Sequence, residues 1–338
     1  MAASRLKVLF MGSSAASAEC LRAILRESET LEVVGVVSQP DRPAGRGKAL
    51  TPCPLAMFAE NRGIADMLKP ESVNDSASMD WIRAHNPDVI AVVAFGQILK
   101  EPLLNLPKHG CVNCHFSLLP KYRGASPVVA ALAAGERLTG VTVMHMGIGL
   151  DDGPIILQSF EPIYPDTTGG TLMNDLSVAG GVTLAKALKM MAEGTLPPEV
   201  PQDPSAATHV RKLKKVDGLI DWDAPSIVIE RSIRAYNPWP GSYTFLPAHL
   251  CRRGTLGRLT VLRSKIVKTL QDEWRTAKPG TVLKVEKGGP IIKCHDTALM
   301  LTEVKPEGSG AMSGGAFSSG RPLAAMKDML SSSPASLS

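Results

Sequence analysis

The chain has 338 residues, of which 44% are hydrophobic, and it carries 37 lysines and arginines against 32 aspartates and glutamates. This length is sufficient for two domains, and the composition is typical of a globular protein. No stretch reaches about 18 uninterrupted apolar residues, so neither a membrane span nor a membrane partner is expected. The N-terminus shows no apolar stretch followed by a small-residue cleavage site, which predicts a cytoplasmic protein, with an organelle as the open alternative.

The first half of the sequence alternates strand-like and helix-like segments. Continuous apolar runs are typical of buried parallel strands, and the segments between these runs have helical spacing. We expect strands at Val8–Met11, Val33–Val37, Val89–Ala94, Cys111–His115 and Val141–Met146, and helices at Ala15–Arg26, Leu55–Arg62 and Ala77–His85. A helix over Thr171–Glu193, interrupted by Gly180 and Gly181, would close the domain. The pattern predicts an α/β fold over residues 1–194, a Rossmann-like doubly wound parallel sheet.

The second half follows a different pattern. Residues 195–208 are rich in proline and lack periodicity, which is typical of a stiff interdomain linker. After a predicted helix at Ser226–Ala235, short strands separated by glycine and proline predict a small β-barrel over residues 209–310. These strands are Leu259–Leu262, Gly280–Val285, Pro290–Cys294 and Ala298–Thr302. Residues 311–338 are rich in glycine, serine and alanine, and we expect a loosely held tail.

The net charge of +5 hides an asymmetry between the two halves. Residues 1–208 carry a net charge of −4, whereas residues 209–338 carry +9. A basic half joined to a mildly acidic half indicates chemistry in the first part and attraction of a polyanion such as nucleic acid by the second. The alternative is a solvated basic surface that has no partner.

The six cysteines are scattered, which fits a reducing compartment rather than a disulfide framework. The segment from Cys111 to His115 reads C-x-x-C-H, a haem-attachment pattern, but haem attachment requires export and no export signal is present. A zinc site would need a second pair of cysteines at suitable spacing. We therefore interpret Cys111 and Cys114 as small apolar residues of a buried strand, and we expect no metal.

Three polar residues form a candidate for catalysis. Asn113 and His115 are two positions apart in a predicted strand, so their side chains point to the same face, near the edge where such sheets bind ligands. An amide and an imidazole can donate to an oxyanion and move a proton, as acyl transfer to an amine requires. Asp151, in an acidic turn after the next strand, is a carboxylate able to orient the imidazole. The alternatives are a satisfied core pair and ordinary turn chemistry.

The catalytic half resembles a known family. The segments that carry the resemblance are Asn113–Pro120, Arg123–Pro127, Gly140–Thr142 and Gly149–Asp151. Together they are similar to the 10-formyltetrahydrofolate-dependent formyltransferases. The resemblance implies a catalytic set of Asn113, His115 and Asp151, a folate site at Ser117, Leu118, Leu119 and Pro120, and 10-formyltetrahydrofolate as co-substrate. The chain departs from many members of the family at Phe116, at Asp152-Gly153-Pro154 and at the early turn Gly12-Ser13-Ser14.

Members of this family formylate different amines, and three features favour initiator methionyl-tRNA here. Gln39–Lys48 resembles a basic, flexible loop that contacts the tRNA acceptor arm, in which Arg42, Arg46 and Lys48 would bind phosphate. The segments Asp221-Trp222 and Ala235–Pro240 resemble the start of a tRNA-binding C-terminal domain, and the basic half then fits its OB-like barrel.

Other functions stay open at this point. Formylation of a sugar-nucleotide amine is the main alternative, and a folate- or RNA-binding protein without catalysis is another. A dinucleotide-dependent enzyme is disfavoured because Gly12-Ser13-Ser14-Ala15 lacks the G-x-G-x-x-G pattern. We expect the protein to act as a monomer.

Overall fold

The computed structural model describes residues 5–45, 47, 49–251 and 255–333. Within these residues the chain forms two compact units. The first contains residues up to 127 together with 137–163 and 172–211, and the second contains 128–136, 164–171 and the chain from 212 onward. None of the helices in the described residues is long and apolar enough to span a bilayer.

The first unit is built on a seven-stranded sheet with the order β10-β9-β7-β6-β1-β2-β5. Its strands, with two shorter pairs outside this sheet, are β1 (Leu6–Gly12), β2 (Leu31–Val37), β3 (Arg42–Ala44), β4 (Ala49–Thr51), β5 (Met67–Leu68), β6 (Val89–Val93), β7 (Cys111–His115), β8 (Arg123–Gly124), β9 (Leu138–His145), β10 (Ile155–Pro162) and β11 (His209–Val210). The helices as far as residue 206 are α1 (Ala15–Arg26), α2 (Pro54–Asn61), α3 (Ser76–Ala84), α4 (Glu101–Leu104), α5 (Pro127–Ala134), α6 (Gly169–Glu193) and a 3₁₀ turn at Pro204–Ala206. Nearly all of α5 and the first turn of α6 belong to the second unit.

Five strands of the sheet are parallel, which confirms the main part of the predicted fold. β1 pairs in parallel with β2 and β6, and β6 pairs in parallel with β7. The predicted strand Val141–Met146 corresponds to β9, which instead runs antiparallel to β7 and continues into the antiparallel edge strand β10. Apolar runs do not encode strand direction, so the sequence could not distinguish the two orientations.

Helices cover both faces of this sheet. On one face Met79 and Ile82 of α3 and Leu103 of α4 pack with Leu9 and Ile90 of the central strands. On the other face α1 and α6 approach the sheet closely. α1 begins at Ala15 because Ser14 caps it, accepting a hydrogen bond from the Ser17 amide. This two-sided burial is the reason that β6 is buried throughout and has no polar alternation.

The predicted interruption of α6 at its two glycines is wrong. The helix is continuous, and the glycines instead permit close packing. A Cβ atom at Gly180 would lie 3.0 Å from the Cys114 sulfur and 3.0 Å from the Phe116 ring, and one at Gly181 would lie 3.0 Å from Ala23. Phe116, one of the residues that depart from the family pattern, is therefore a buried packing residue against α6.

The second unit is centred on an antiparallel sheet with the order β12-β13-β16-β15-β14, and β17 pairs with β16. Its elements are α7 (Ser226–Ala235), β12 (Ser242–Phe245), β13 (Arg258–Val267), β14 (Val282–Glu286), β15 (Gly289–Lys293), β16 (Ala298–Pro306), β17 (Met312–Ser313), α8 (Gly314–Gly320), and 3₁₀ turns at Lys215–Gly218, Ala248–Leu250 and Asp272–Trp274. Trp222, Ile233, Leu259 and Leu301 belong to its core.

The predicted loose tail is also wrong for the part of it that the structure describes. Phe317 of α8 is 2% exposed and belongs to the core of the second unit. Further on, Ser331 bridges to Phe245 at the end of β12, and Met329 bridges to Thr281 beside β14. One short segment therefore bonds to both edges of the sheet, which closes it as the predicted barrel requires. Glycine and serine in α8 serve close packing rather than flexibility, because a Cβ at Gly314 would overlap the Leu301 carbonyl.

Candidate active site

Strand β7 presents Asn113 and His115 on one face. His115 is buried, and Asn113 is partly buried. The strand lies beside β6, next to the point where the strand order reverses around β1, and open parallel sheets bind ligands at such points. The spacing of two positions therefore has the structural consequence predicted from the sequence.

The loop after β9 brings Asp151 to these two side chains. Its Oδ2 atom lies 3.5 Å from His115 Nδ1, and its Oδ1 atom lies 3.4 Å from Asn113 Nδ2. The amide of Gly124 donates to the same Oδ2 atom at 2.8 Å. Asp151 has a φ of 51°, in the left-handed region that aspartate tolerates better than most residues. The amide, the imidazole and the carboxylate predicted from the sequence thus converge.

The second ring nitrogen of His115 fixes its tautomer. His115 Nε2 lies 3.0 Å from the carbonyl oxygen of Tyr122, and a carbonyl only accepts, so Nε2 carries hydrogen and donates. In the neutral ring Nδ1 is then bare and faces Asp151. Burial lowers the pKa of His115, and the Asp151 charge and the Tyr122 carbonyl oppose that shift only in part. The lowered pKa favours the neutral imidazole at pH 7, which leaves Nδ1 without a proton beside the carboxylate.

The predicted folate-binding turn is held by Thr142 and Gln158, to which the sequence argument gave no role in folate binding. Thr142 Oγ1 donates to the Ser117 carbonyl and accepts from the Leu119 amide, and Gln158 Nε2 donates to the Leu119 carbonyl. Ser117 and Leu119 are buried, and the Ser117 hydroxyl donates to the Lys121 carbonyl. Only Leu118 and Pro120 keep partly exposed side chains. Ser117 and Leu119 therefore shape the turn, and Leu118 and Pro120 form its exposed surface.

Gln202 is a further residue that the sequence did not reveal. Its Nε2 atom donates to the carbonyls of Asp151 at 2.9 Å and Gly153 at 2.7 Å. Its Oε1 atom accepts from Arg123 Nε at 3.1 Å and Nη2 at 2.8 Å. Gln202 lies in the predicted linker 195–208, which is part of the first unit and continues into β11, paired with β8. A lone glutamine in a proline-rich segment gives no local signal of such a contact.

The two cysteines of the C-x-x-C-H segment do not form a common site. The Cys111 thiol donates to the Leu103 carbonyl on one side of β7, and the Cys114 thiol donates to the Gly180 carbonyl on the other. Burial raises the pKa of Cys111 to about 12. A hydrogen bond with Cys20, together with burial, raises the pKa of Cys114. Both thiols are therefore protonated, and over the described ranges the side chains form no cluster suited to a metal ion.

The predicted tRNA-binding loop is partly described. Arg42 begins β3, which pairs antiparallel with β4, so the described part of the insertion forms two short paired strands. Gly45 and Gly47 have φ values of 70° and 100°, which explains glycine at the turn. The Arg42 guanidinium forms an exposed ion pair with Glu71 at 2.7 Å. The other two predicted contacts, Arg46 and Lys48, lie outside the described residues.

Comparison with known proteins identifies the family. The family described as "Formyl transferase" matches residues 4–188, and "Formyl transferase, C-terminal domain" matches residues 212–322. The chain is 39% identical over 316 residues to the methionyl-tRNA formyltransferase of Chloroflexus aggregans, covering 93% of this chain and 97% of that protein.

Two solved structures share the fold. HypX from Aquifex aeolicus, in complex with tetrahydrofolic acid, superposes with a TM-score of 0.59 at 15% identity, covering 93% of this chain. This chain spans about half of HypX, 47% of its length. An N-formyltransferase from Helicobacter canadensis, in complex with folinic acid and dTDP-3-aminofucose, gives a TM-score of 0.57 at 17% identity, covering 88% of this chain and 98% of that one. At these identities the likeness establishes the fold alone. By its sequence matches, the chain belongs to the methionyl-tRNA formyltransferase family of formyl transferases.

Proposed function

We propose that the protein transfers the formyl group of 10-formyltetrahydrofolate to the α-amine of initiator methionyl-tRNA, making N-formylmethionyl-tRNA for translation initiation. The observation that carries this proposal is the convergence of Asn113, His115 and Asp151. Formyl transfer to an amine needs an acceptor for one proton and a donor for one oxyanion, and these three side chains supply both.

The pair of Asp151 and His115 is the proton acceptor. A free α-amino group titrates near about 7.7–8.0, so much of the substrate amine first loses one proton to solvent at neutral pH. The neutral amine then loses a second proton as it attacks, and this is the proton that the pair accepts. The bare Nδ1 of His115 and the Oδ2 of Asp151 are 3.5 Å apart, and a proton between them would be held by both. The amine nitrogen attacks the formyl carbon, its proton passes to this pair, and the carbonyl electron pair moves onto oxygen.

Asn113 is suited to stabilise that oxygen. Its Nδ2 atom has two hydrogens, and only one is used in the long 3.4 Å contact with Asp151. The second is free to donate to the oxyanion. When the tetrahedral intermediate collapses, the bond from carbon to the folate nitrogen breaks, and the proton held by His115 and Asp151 returns to that nitrogen. Protons and electrons balance without a covalent enzyme intermediate.

The proposed folate and tRNA sites are argued from the exposure and charge of their side chains. Leu118 and Pro120 offer a partly exposed apolar edge suited to a flat folate ring, with Ser117 and Leu119 fixing the turn beneath them. Arg42 suits a tRNA phosphate, because an exposed ion pair with Glu71 contributes little and is easily exchanged. The net charge of +9 on residues 209–338 would attract the rest of the tRNA.

A transfer assay with two acceptors tests the proposal. The full chain would be incubated with [¹⁴C]10-formyltetrahydrofolate and either methionyl-tRNA or a dTDP-linked amino sugar. We expect label in N-formylmethionine, released from the tRNA by base, and dependence on the folate donor. Uncharged tRNA is the matched control, because it binds the same surface without offering an amine. Label in the amino sugar alone would replace the proposed acceptor, and label in neither would reject the proposed activity.

A further inference from the structure

We infer that Gln202, together with Arg123, is a positioning residue that holds the Asp151 carboxylate against His115. The kinetic consequence of this inference rests on the proposed function, whereas its structural consequence does not. Gln202 has no hydrogen bond to any of the three candidate catalytic side chains. It bonds to the backbone that carries Asp151, to the Arg123 side chain and, more weakly, to the Met144 sulfur.

The amide nitrogen of Gln202 fixes the turn around Asp151. It has two hydrogens, and the carbonyls of Asp151 and Gly153 lie at 2.9 and 2.7 Å, so each hydrogen has one acceptor. Asp151 also has a positive φ, a conformation that disfavours most side chains and persists only when its surroundings enforce it. The two bonds from Gln202 supply that enforcement from outside the loop.

Arg123 fixes the orientation of the Gln202 amide. Its buried guanidinium donates through two nitrogens to Oε1, and a guanidinium cannot accept. The oxygen end of the amide must therefore face Arg123, which turns the NH₂ end toward the two carbonyls. A flipped amide would leave donors facing donors at one end and acceptors facing acceptors at the other.

The same contact joins the two loops that complete the site. Arg123 lies between Tyr122, whose carbonyl accepts from His115, and Gly124, whose amide donates to Asp151. Gln202 thus connects the loop that carries the carboxylate to the strand that orients the imidazole. Removal of the bridge would break this connection and loosen the loop end of the contact between Nδ1 and Oδ2.

The segment that carries Gln202 is anchored on both sides of it. Before it, Val200 exchanges two backbone hydrogen bonds with Ile155, at 2.8 and 2.9 Å. After it, the Arg123 amide donates to the Thr208 carbonyl at 2.8 Å, and the Ala125 amide donates to the Val210 carbonyl at 3.1 Å. These bonds keep the backbone in place when the Gln202 side chain is changed. A substitution at Gln202 therefore tests the bridge rather than the fold of the segment.

Asp151 is the charged group that acts on His115, and Tyr122 contributes a carbonyl dipole. The negative charge of Asp151 raises the pKa of the imidazole against the effect of burial. If the carboxylate moves away, that support is lost and the His115 titration midpoint falls further. A purely structural role for Gln202 would lower stability without moving this midpoint.

The test compares Gln202→Met, which has similar length but neither donor nor acceptor, with Gln97→Met in the full chain. Gln97 is a matched control, because it is also partly buried and its amide bridges the Val73 amide and the Pro70 carbonyl. We expect Gln202→Met to lower kcat about 10- to 100-fold, as expected for a misplacement near 1 Å, with little change in the KM for methionyl-tRNA. The NMR titration midpoint of His115 should fall. Gln97→Met should change neither quantity.

A second variant keeps the test decisive if Gln202→Met folds poorly. Gln202→Glu still accepts from Arg123 but cannot donate to the two carbonyls, so it should show the same losses. If either folded variant retains parental kcat and the parental His115 midpoint, the inference is overturned. If the parent chain itself transfers no formyl group, the proposed function fails, and the NMR titration alone decides the positioning role.

Discussion

Replacement of Asp151 by asparagine removes one charge from the candidate site and leaves its shape nearly unchanged. Asparagine has similar volume, and it tolerates the left-handed backbone conformation at this position. Its side-chain oxygen still accepts from the Gly124 amide, which donates to Asp151 at 2.8 Å. We therefore expect a folded protein in which the carboxylate no longer supports His115.

The size of the effect follows from the geometry of the pair. At the observed 3.5 Å, two unit charges attract each other by about 5 kcal/mol when the effective dielectric constant is about 20. The Asp151 side chain is 14% exposed, so solvent screens part of this attraction. Since every 1.36 kcal/mol changes a rate about tenfold, the proton-accepting step should lose about 10²- to 10³-fold. We predict that kcat of Asp151→Asn falls by this factor.

Single-turnover transfer from preformed complexes is the appropriate assay, because product release then does not mask the chemical step. Asp152→Asn is the matched control, since it removes the neighbouring carboxylate, which is exposed. Thermal unfolding of both variants would verify that they fold. Turnover of Asp151→Asn within about threefold of the parent would refute the reasoning. An equal loss in Asp152→Asn would refute it as well, by indicating a general effect of charge.

Three further predictions test other parts of the account. Burial lowers the pKa of His115, so its NMR titration midpoint should lie below about 6.5. Because the unfolded chain binds this proton more readily, the free energy of unfolding should fall as pH decreases from about 6.5 toward that midpoint. The decrease should be smaller in His115→Gln. Arg42→Ala should weaken tRNA binding and leave folate binding unchanged. Glu71→Gln, which breaks only the ion pair, is the control. A loss of folate affinity alone in Arg42→Ala, or an equal loss of tRNA affinity in Glu71→Gln, would contradict the phosphate contact. Phe317→Ala should lower the free energy of unfolding by about 3–5 kcal/mol in chemical denaturation. The exposed Ser319→Ala control should lower it by at most about 0.5 kcal/mol. Equal effects of the two substitutions would indicate a loosely held C-terminal segment.

The sequence predicted the features that depend on local pattern. Buried apolar runs such as Val89–Val93 indicated a sheet covered on both faces, and the spacing of Asn113 and His115 gave their shared face. The pattern did not encode strand direction, so the antiparallel pairing of β9 was missed.

Features that depend on long-range contacts were not accessible in this way. Gly180 and Gly181 predicted an interruption of the helix, yet they permit close approach of α6 to its neighbours. The glycine-rich composition near the end of the chain predicted a loosely held tail, although Phe317 packs in the core of the second unit. Gln202 bonds to a turn about fifty residues earlier in the chain, and its own neighbours in sequence give no indication of that partner.

The distance from the formyl group to the three side chains is the measurement that bears most directly on the central claim. A crystal structure with a stable 10-formyl folate analogue bound would supply it. We expect a formyl oxygen about 3 Å from Asn113 Nδ2 and a formyl carbon open to an amine beside His115 and Asp151. A formyl group bound beyond hydrogen-bond reach of all three side chains would contradict the account.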